Sequence, residues 1–144
     1  MSYFCDMSII PTPEQPKQKK HTQPEANIQI AAYTWFWNTY PQYRGLLFAV
    51  TNQNDASPLL SQKDQQIMGA RRKMLGVYAG VSDLILLLPR DNSYGLMLEC
   101  KTAVGRQSEV QKQWEQLVTK YGYQYRIFRS LSDFQNVIKK YLGR

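Results

Sequence analysis

Gly80-Val81-Ser82-Asp83-Leu84-Ile85-Leu86-Leu87-Leu88-Pro89 and Gly95-Leu96-Met97-Leu98-Glu99-Cys100-Lys101 flank the polar cluster Arg90-Asp91-Asn92-Ser93-Tyr94. Two apolar runs around a cluster of turn-forming residues predict a β-hairpin. Its charges sit only at the far ends, Asp83 where the first strand begins, Glu99 and Lys101 where the second finishes. A chain that folds back near Asn92 sets Asp83 opposite or diagonal to Glu99 and Lys101. Opposed residues lie about 5 Å apart and diagonal ones about 7–8 Å. Glu99 and Lys101, two residues apart, project from one face of the strand. Two carboxylates and an ammonium are therefore expected together at one end of a sheet whose middle is apolar.

Carboxylates held that close repel unless positive charge lies between them. Oxygen donors of this kind suit a hard divalent cation, Mg²⁺ or Mn²⁺, bound by one or two carboxylates, waters and substrate phosphate. Lys101 would hold or activate the attacking water, or neutralise charge on the phosphate. The spacing Asp83-x(15)-Glu99-x-Lys101 resembles the catalytic signature of the PD-(D/E)xK nuclease superfamily. An ordinary surface hairpin can carry the same charges, so the rest of the chain has to decide.

A length of 144 residues, 43% of them hydrophobic, suits one domain with one core. The longest apolar run, Leu84 to Leu88, stops at Pro89, well short of the roughly 18–20 residues of a membrane span. No membrane role is expected. The N-terminus lacks the basic-then-apolar layout of a secretory signal, and the two cysteines, Cys5 and Cys100, argue against a disulfide framework. A reducing, cytoplasmic setting is the expectation. With His21 the single histidine and no Cys pair, a zinc site is not expected. The net charge is +7, of which +6 belongs to residues 24–144. A basic folded domain implies a polyanion partner, usually nucleic acid.

Residues 1–23, with Pro11, Pro13, Pro16 and the run Glu14 to Lys20, read as a flexible arm. A helix is signalled from Pro24, where Thr22-x-x-Glu25 fits a capping box and Ile28, Ala31, Ala32, Trp35 and Phe36 recur at helical spacing. Glu25 on the rim of that stripe is either an N-terminal cap or a group reaching into a cleft. Gly45 to Val50 reads as a buried strand and Thr51 to Pro58 as a polar loop. Ser61-x-x-Asp64 opens a second helix, about 61–75, ending at Gly76. Arg71, Arg72 and Lys73 near its C-terminus either contact phosphate or simply favour the helix dipole. After the hairpin, Ser108-x-x-Gln111 opens a helix of about 108–121, with Val110, Trp114, Leu117, Val118 and Tyr121 as its core face. Gln111 lies beside that face, one turn from the strand end carrying Glu99 and Lys101. Tyr123 to Phe128 alternates as a strand, and Ser130-x-x-Asp133 begins a last helix with Phe134, Val137, Ile138 and Tyr141 on one side. The predicted order is α-β-α-β-β-α-β-α: an α/β domain over 24–144, with a small mixed β-sheet flanked by helices.

Several blocks in order resemble the VRR-Nuc family of PD-(D/E)xK nucleases. They are Leu47 to Asn52, Gly76 to Leu84, Leu98 to Lys101, Gly105-Arg106-Gln107-Ser108-x-x-Gln111, and Gly122-Tyr123. The resemblance covers about residues 24–142 and implies a restriction-endonuclease-like core. It further implies that Asp83, Glu99 and the backbone carbonyl of Cys100 bind the metal, with Glu25 a further acidic residue there. Lys101 would be the catalytic lysine and Gln111 a polar group near the scissile phosphate. Ser82 departs from the family pattern, which usually has proline before the aspartate; that position shapes backbone rather than chemistry. Stand-alone members resemble Holliday-junction resolvases and are typically dimers.

The expected function is a Mg²⁺- or Mn²⁺-dependent endonuclease acting on branched DNA, four-way junctions foremost, in a bacterial or phage-infected cell. Arg71, Arg72, Lys73, Arg106 and Lys112 are its candidate phosphate contacts, and Trp37 or Tyr43 could serve a homodimer interface. The rivals are a basic DNA-binding module without catalysis and a nuclease of flap or linear DNA.

Overall fold

The computed structural model describes residues 24–50 and 61–143. The expected arm at 1–23, Thr22 and the Thr51–Pro58 loop lie outside the described residues. The elements follow the predicted order: α1 (Pro24–Thr39), β1 (Leu47–Ala49), α2 (Gln62–Met74), β2 (Leu84–Leu86), β3 (Leu96–Cys100), α3 (Glu109–Lys120), β4 (Gln124–Phe128) and α4 (Leu131–Leu142). One 3₁₀ turn, Pro41–Tyr43, follows α1.

The hairpin forms as the charge placement demands. β2 and β3 pair antiparallel with Leu84 opposite Leu98 and Leu86 opposite Leu96, so that Asp83 faces Glu99 one step beyond the last pair. β1 adds antiparallel to β2, and β4 parallel to β3, giving a mixed sheet in the order β1-β2-β3-β4. Alternation then sorts the side chains. Leu84, Leu86, Leu96, Leu98 and Cys100 join Ala32 and Phe36 of α1 and Phe134, Ile138 and Tyr141 of α4 in the main core. The opposite face carries Met97, Tyr125, Ile85 and Ile127, covered by Trp114 and Val118 of α3. Asp83, Glu99 and Lys101 share the parity of that second face. They emerge at the end of the sheet beneath the first turn of α3.

The starts of α2, α3 and α4 are each fixed by a side chain the pattern marks. Ser61, Ser108 and Ser130 are N-caps whose hydroxyls accept from the N–H groups of Asp64, Gln111 and Asp133. Three expectations need correction. The apolar stripe of α3 is wider than the surface it meets: Trp114 and Val118 reach the sheet, while Val110, Leu117 and Tyr121 are exposed. β1 is an edge strand, with Leu47 buried and Phe48 and Ala49 turned outward. Trp37 is exposed, but Tyr43 packs against the main core and its hydroxyl accepts a 2.7 Å hydrogen bond from Arg90.

Candidate active site

The carboxyl end of β3 is where the polar groups converge. Asp83 enters β2 and accepts the Cys100 N–H on Oδ2 at 2.8 Å, which ties the two strand ends together. Before it, Ser82 is fully buried and its hydroxyl donates to the Leu84 carbonyl at 3.3 Å. Serine is thus satisfied where the family pattern has proline.

Glu99 is 0% exposed. Lys101 Nζ lies 2.8 Å from its Oε1, the Gln111 side-chain amide donates to the same oxygen, and the Tyr125 hydroxyl donates to Oε2 at 3.4 Å. Gln111 can do this because the capping box holds it. The Ser108 N–H donates to Gln111 Oε1 at 2.9 Å, leaving the amide nitrogen aimed at Glu99. One side chain both closes the helix start and meets the buried carboxylate.

Glu25 comes from the other layer. Its Oε1 accepts the Thr102 N–H at 3.1 Å, and its backbone carbonyl accepts the Cys100 thiol at 3.4 Å. The loop after Lys101 is folded onto it: a Cβ on Gly105 would lie 3.2 Å from Glu25 Oε1 and 2.9 Å from Thr102 Oγ1. Arg129, just beyond β4, holds that loop through Nη1, which donates to the carbonyls of Thr102 and of Gly105, the latter at 2.8 Å.

Burial dominates the electrostatics. It pushes Glu99 up to about 7 although the Lys101 hydrogen bond pulls the other way, and it raises Asp83 against the pull of the Cys100 N–H and Lys101. Burial, with the charges of Asp83 and Glu25, pushes the Cys100 thiol up to about 12, so it is no nucleophile at neutral pH. For Lys101, burial acts downward but is outweighed by Glu99, Glu25 and Asp83, so its pKa is raised and it stays an ammonium.

The family model of the VRR-NUC domain matches residues 25–131. The chain belongs to the VRR-NUC family. A solved structure described as a VRR_NUC domain protein shares the fold: 21% identity, TM-score 0.67, covering 83% of this chain and 88% of that one. None of the curated proteins matches. VRR-NUC membership makes this a nuclease-type domain.

Within the VRR-NUC domain, the donor set bears on a metal as follows. Among the described residues, no three His, Cys, Asp or Glu side chains are gathered into a ready cage; each carboxylate is turned to a protein donor instead. A magnesium-type ion does not require such a cage, since one or two carboxylates with waters and phosphate suffice. Asp83 and Glu99 offer two such carboxylates on paired strands, both held above their ordinary range. Their oxygens, with the Cys100 backbone between them, fit a hard cation.

Asp83, Glu99, Lys101, Gln111 and Glu25 are thus brought to one end of the sheet. Of the candidate phosphate contacts, Arg71 and Lys73 are exposed in the last turn of α2, and Arg72 is partly buried. Arg106 is exposed on the loop that follows Lys101, and Lys112 is exposed with its ammonium 3.2 Å from Glu109. Tyr125, Thr102, Gly105 and Arg129 are site residues that sequence reading missed. The Gly105-Arg106 block marked the loop, but nothing local marks the reach of Tyr125 or Arg129. A mostly apolar cavity of about 350 Å³ beside β1, lined by Gln29, Ile30, Tyr33, Thr34, Phe48 and Leu84 among others, contains none of the carboxylates.

Proposed function

We propose that this chain is a Mg²⁺- or Mn²⁺-dependent endonuclease that hydrolyses phosphodiester bonds in branched DNA, four-way junctions foremost, as a homodimer. The supporting observation is the register of the hairpin. It sets Asp83 opposite Glu99 with Lys101 on the Glu99 carboxylate, in a chain of the VRR-NUC family.

In this reading Asp83, Glu99, the Cys100 carbonyl and Glu25 would hold the metal. When bound, such an ion polarises a phosphoryl oxygen and makes water a better nucleophile at neutral pH. Lys101 carries the positive charge that orients the attacking water or offsets charge growing on the phosphate. Gln111 fixes the rotamer of Glu99 from the side of α3. Its neutral amide donates without competing for the cation. Tyr125 does the same from β4, so Glu99 is held at both oxygens before substrate arrives, which lowers the reorganisation needed during reaction. Arg71, Arg72, Lys73, Arg106 and Lys112 would supply phosphate contacts, with affinity falling steeply as salt rises. A two-fold dimer would match the near two-fold symmetry of a four-way junction with one site per strand pair.

The test is cleavage of a four-way junction beside its linear duplex, each with Mg²⁺, with Mn²⁺ and with chelator. Paired, metal-dependent cuts in the junction support the reading. Cutting of flaps or linear duplex alone would keep the chemistry and discard the junction. Binding of the junction without any cutting would favour a non-catalytic DNA-binding module.

A further inference from the structure

We propose that the cavity between the end of α2 and the first turn of α3 receives an unpaired nucleobase of the DNA, stacked on Tyr78. This deepens the nuclease reading and rests on it for the ligand being DNA. The cavity measures about 350 Å³ and is lined by Lys73, Val77, Tyr78, Ala79, Val110 and Gln113, a size within the usual range for small-molecule sites. The Tyr78 ring is braced by the Trp114 ring, 5.6 Å away at 44°, and yet is 58% exposed. Val77 and Val110 are also exposed. Held aromatic and aliphatic surface left in water marks a site with an apolar occupant.

The charge beside it narrows that occupant. Lys73 is part of the wall and Arg71 stands in the same helical turn. An apolar face beside a cation fits a nucleotide: π-face on the aromatic, phosphate on the lysine. A paired duplex keeps its base faces stacked inside and offers a protein mainly phosphate, sugar and base edges. Only an unpaired base presents a free face, so this surface tells DNA with unpaired positions, such as a flap or a single strand, from fully paired DNA. Gln113 places an amide in the same wall, able to donate to or accept from a base edge.

The cavity is joined to the catalytic end of the sheet through Gly80. Gly80 has φ +82°, and a Cβ there would fall 2.5 Å from the Val110 carbonyl oxygen and 3.0 Å from the Gln111 nitrogen. Gly80, between Tyr78 and Asp83, is thus pressed against the one turn of α3 that carries both Val110, in the cavity wall, and Gln111, on Glu99. A base held at Tyr78 leaves its neighbouring phosphates near the site that would cut them.

The experiment uses the full chain with Lys101→Ala, to prevent cutting, in Mg²⁺. The DNAs are a branched substrate carrying 2-aminopurine in an unpaired position and the fully paired duplex with the same label. Binding of the branched DNA is expected to quench the unpaired 2-aminopurine. Adding Tyr78→Ala should remove the quench and weaken binding of the branched DNA about tenfold, in the range of one base–aromatic stack, with little change for the duplex. Tyr78→Phe, which keeps the ring, should preserve both. Equal behaviour of Tyr78→Ala and its parent on the branched DNA overturns the proposal alone. Failure to bind either DNA overturns the nuclease reading with it. A drop from two chains to one in sedimentation, caused by Tyr78→Ala and not by Tyr78→Phe, would make the patch an interface between copies and likewise overturn it.

Discussion

Glu99 carries a carboxyl group to a place fully closed to solvent, and Lys101, Gln111 and Tyr125 answer it there. The answer is incomplete, because burial still lifts its pKa from 4.5 to about 7. Between those values the folded protein holds a proton that the unfolded chain has released. The stability this contributes is full below about pH 4.5 and is lost as pH rises toward 7. Asp83, also raised by burial, acts in the same direction. In chelator, the metal-free protein should therefore melt at a lower temperature at pH 8 than at pH 5.5, and Glu99→Gln should flatten that dependence. The difference at pH 8 should be on the order of 1–3 kcal/mol; a pH dependence unchanged by Glu99→Gln would contradict it. Arg129 is the other residue whose removal is informative. It bonds two carbonyls of the loop that presents Thr102 to Glu25, and charge-assisted bonds of this kind are worth about 1.5–3 kcal/mol in total when lost. Arg129→Gln should cost about that much in urea unfolding and should also lower cleavage. An unaltered unfolding midpoint would show that the loop holds itself.

The hairpin and the caps were legible in the sequence because their information is local. Charges at the far ends of two apolar runs define a register, and serine three residues before Asp64, Gln111 and Asp133 defines a helix start. Helical spacing also says which residues share a face. It does not say how broad a surface that face will meet, so the spacing alone puts Val110, Leu117 and Tyr121 in the core although all three are exposed. The edge position of β1 was hidden for the same reason: Leu47, Phe48 and Ala49 are all apolar, and only the sheet order shows that one side of the strand has no neighbour among the described residues. Tyr125 and Arg129 act across contacts distant in sequence, which no short pattern encodes. Two glycines test how the elements are pressed together. Gly76 has φ +84° with nothing within 4 Å of an added Cβ, whereas Gly80, at φ +82°, would drive its Cβ into the α3 backbone. Gly76→Ala should cost about 1–2 kcal/mol for the left-handed backbone alone. Gly80→Ala should cost that and a clash besides, and should depress cleavage because the same turn of α3 carries Gln111. Equal losses in urea unfolding would contradict the close approach.

The whole molecule places its catalytic candidates at one end of the sheet, under α3, and two exposed cations, Arg106 and Lys73, on segments to either side of it in the chain. The net +6 of residues 24–144 is the long-range part of the same design, since it draws a polyanion in before any close contact forms. A junction-cleaving reading further requires two such sites in one particle. Sedimentation at assay concentration should give the mass of two chains, and a single-chain mass would count against paired cutting. The measurement that tests the central claim most directly is cleavage and binding of one DNA substrate in Mg²⁺ by the wild type, Asp83→Asn and Lys101→Ala. Loss of cleavage by at least about a hundredfold, with binding retained, is the result expected of a metal-dependent hydrolytic centre at Asp83, Glu99 and Lys101. Cleavage at the wild-type rate by both variants would contradict it.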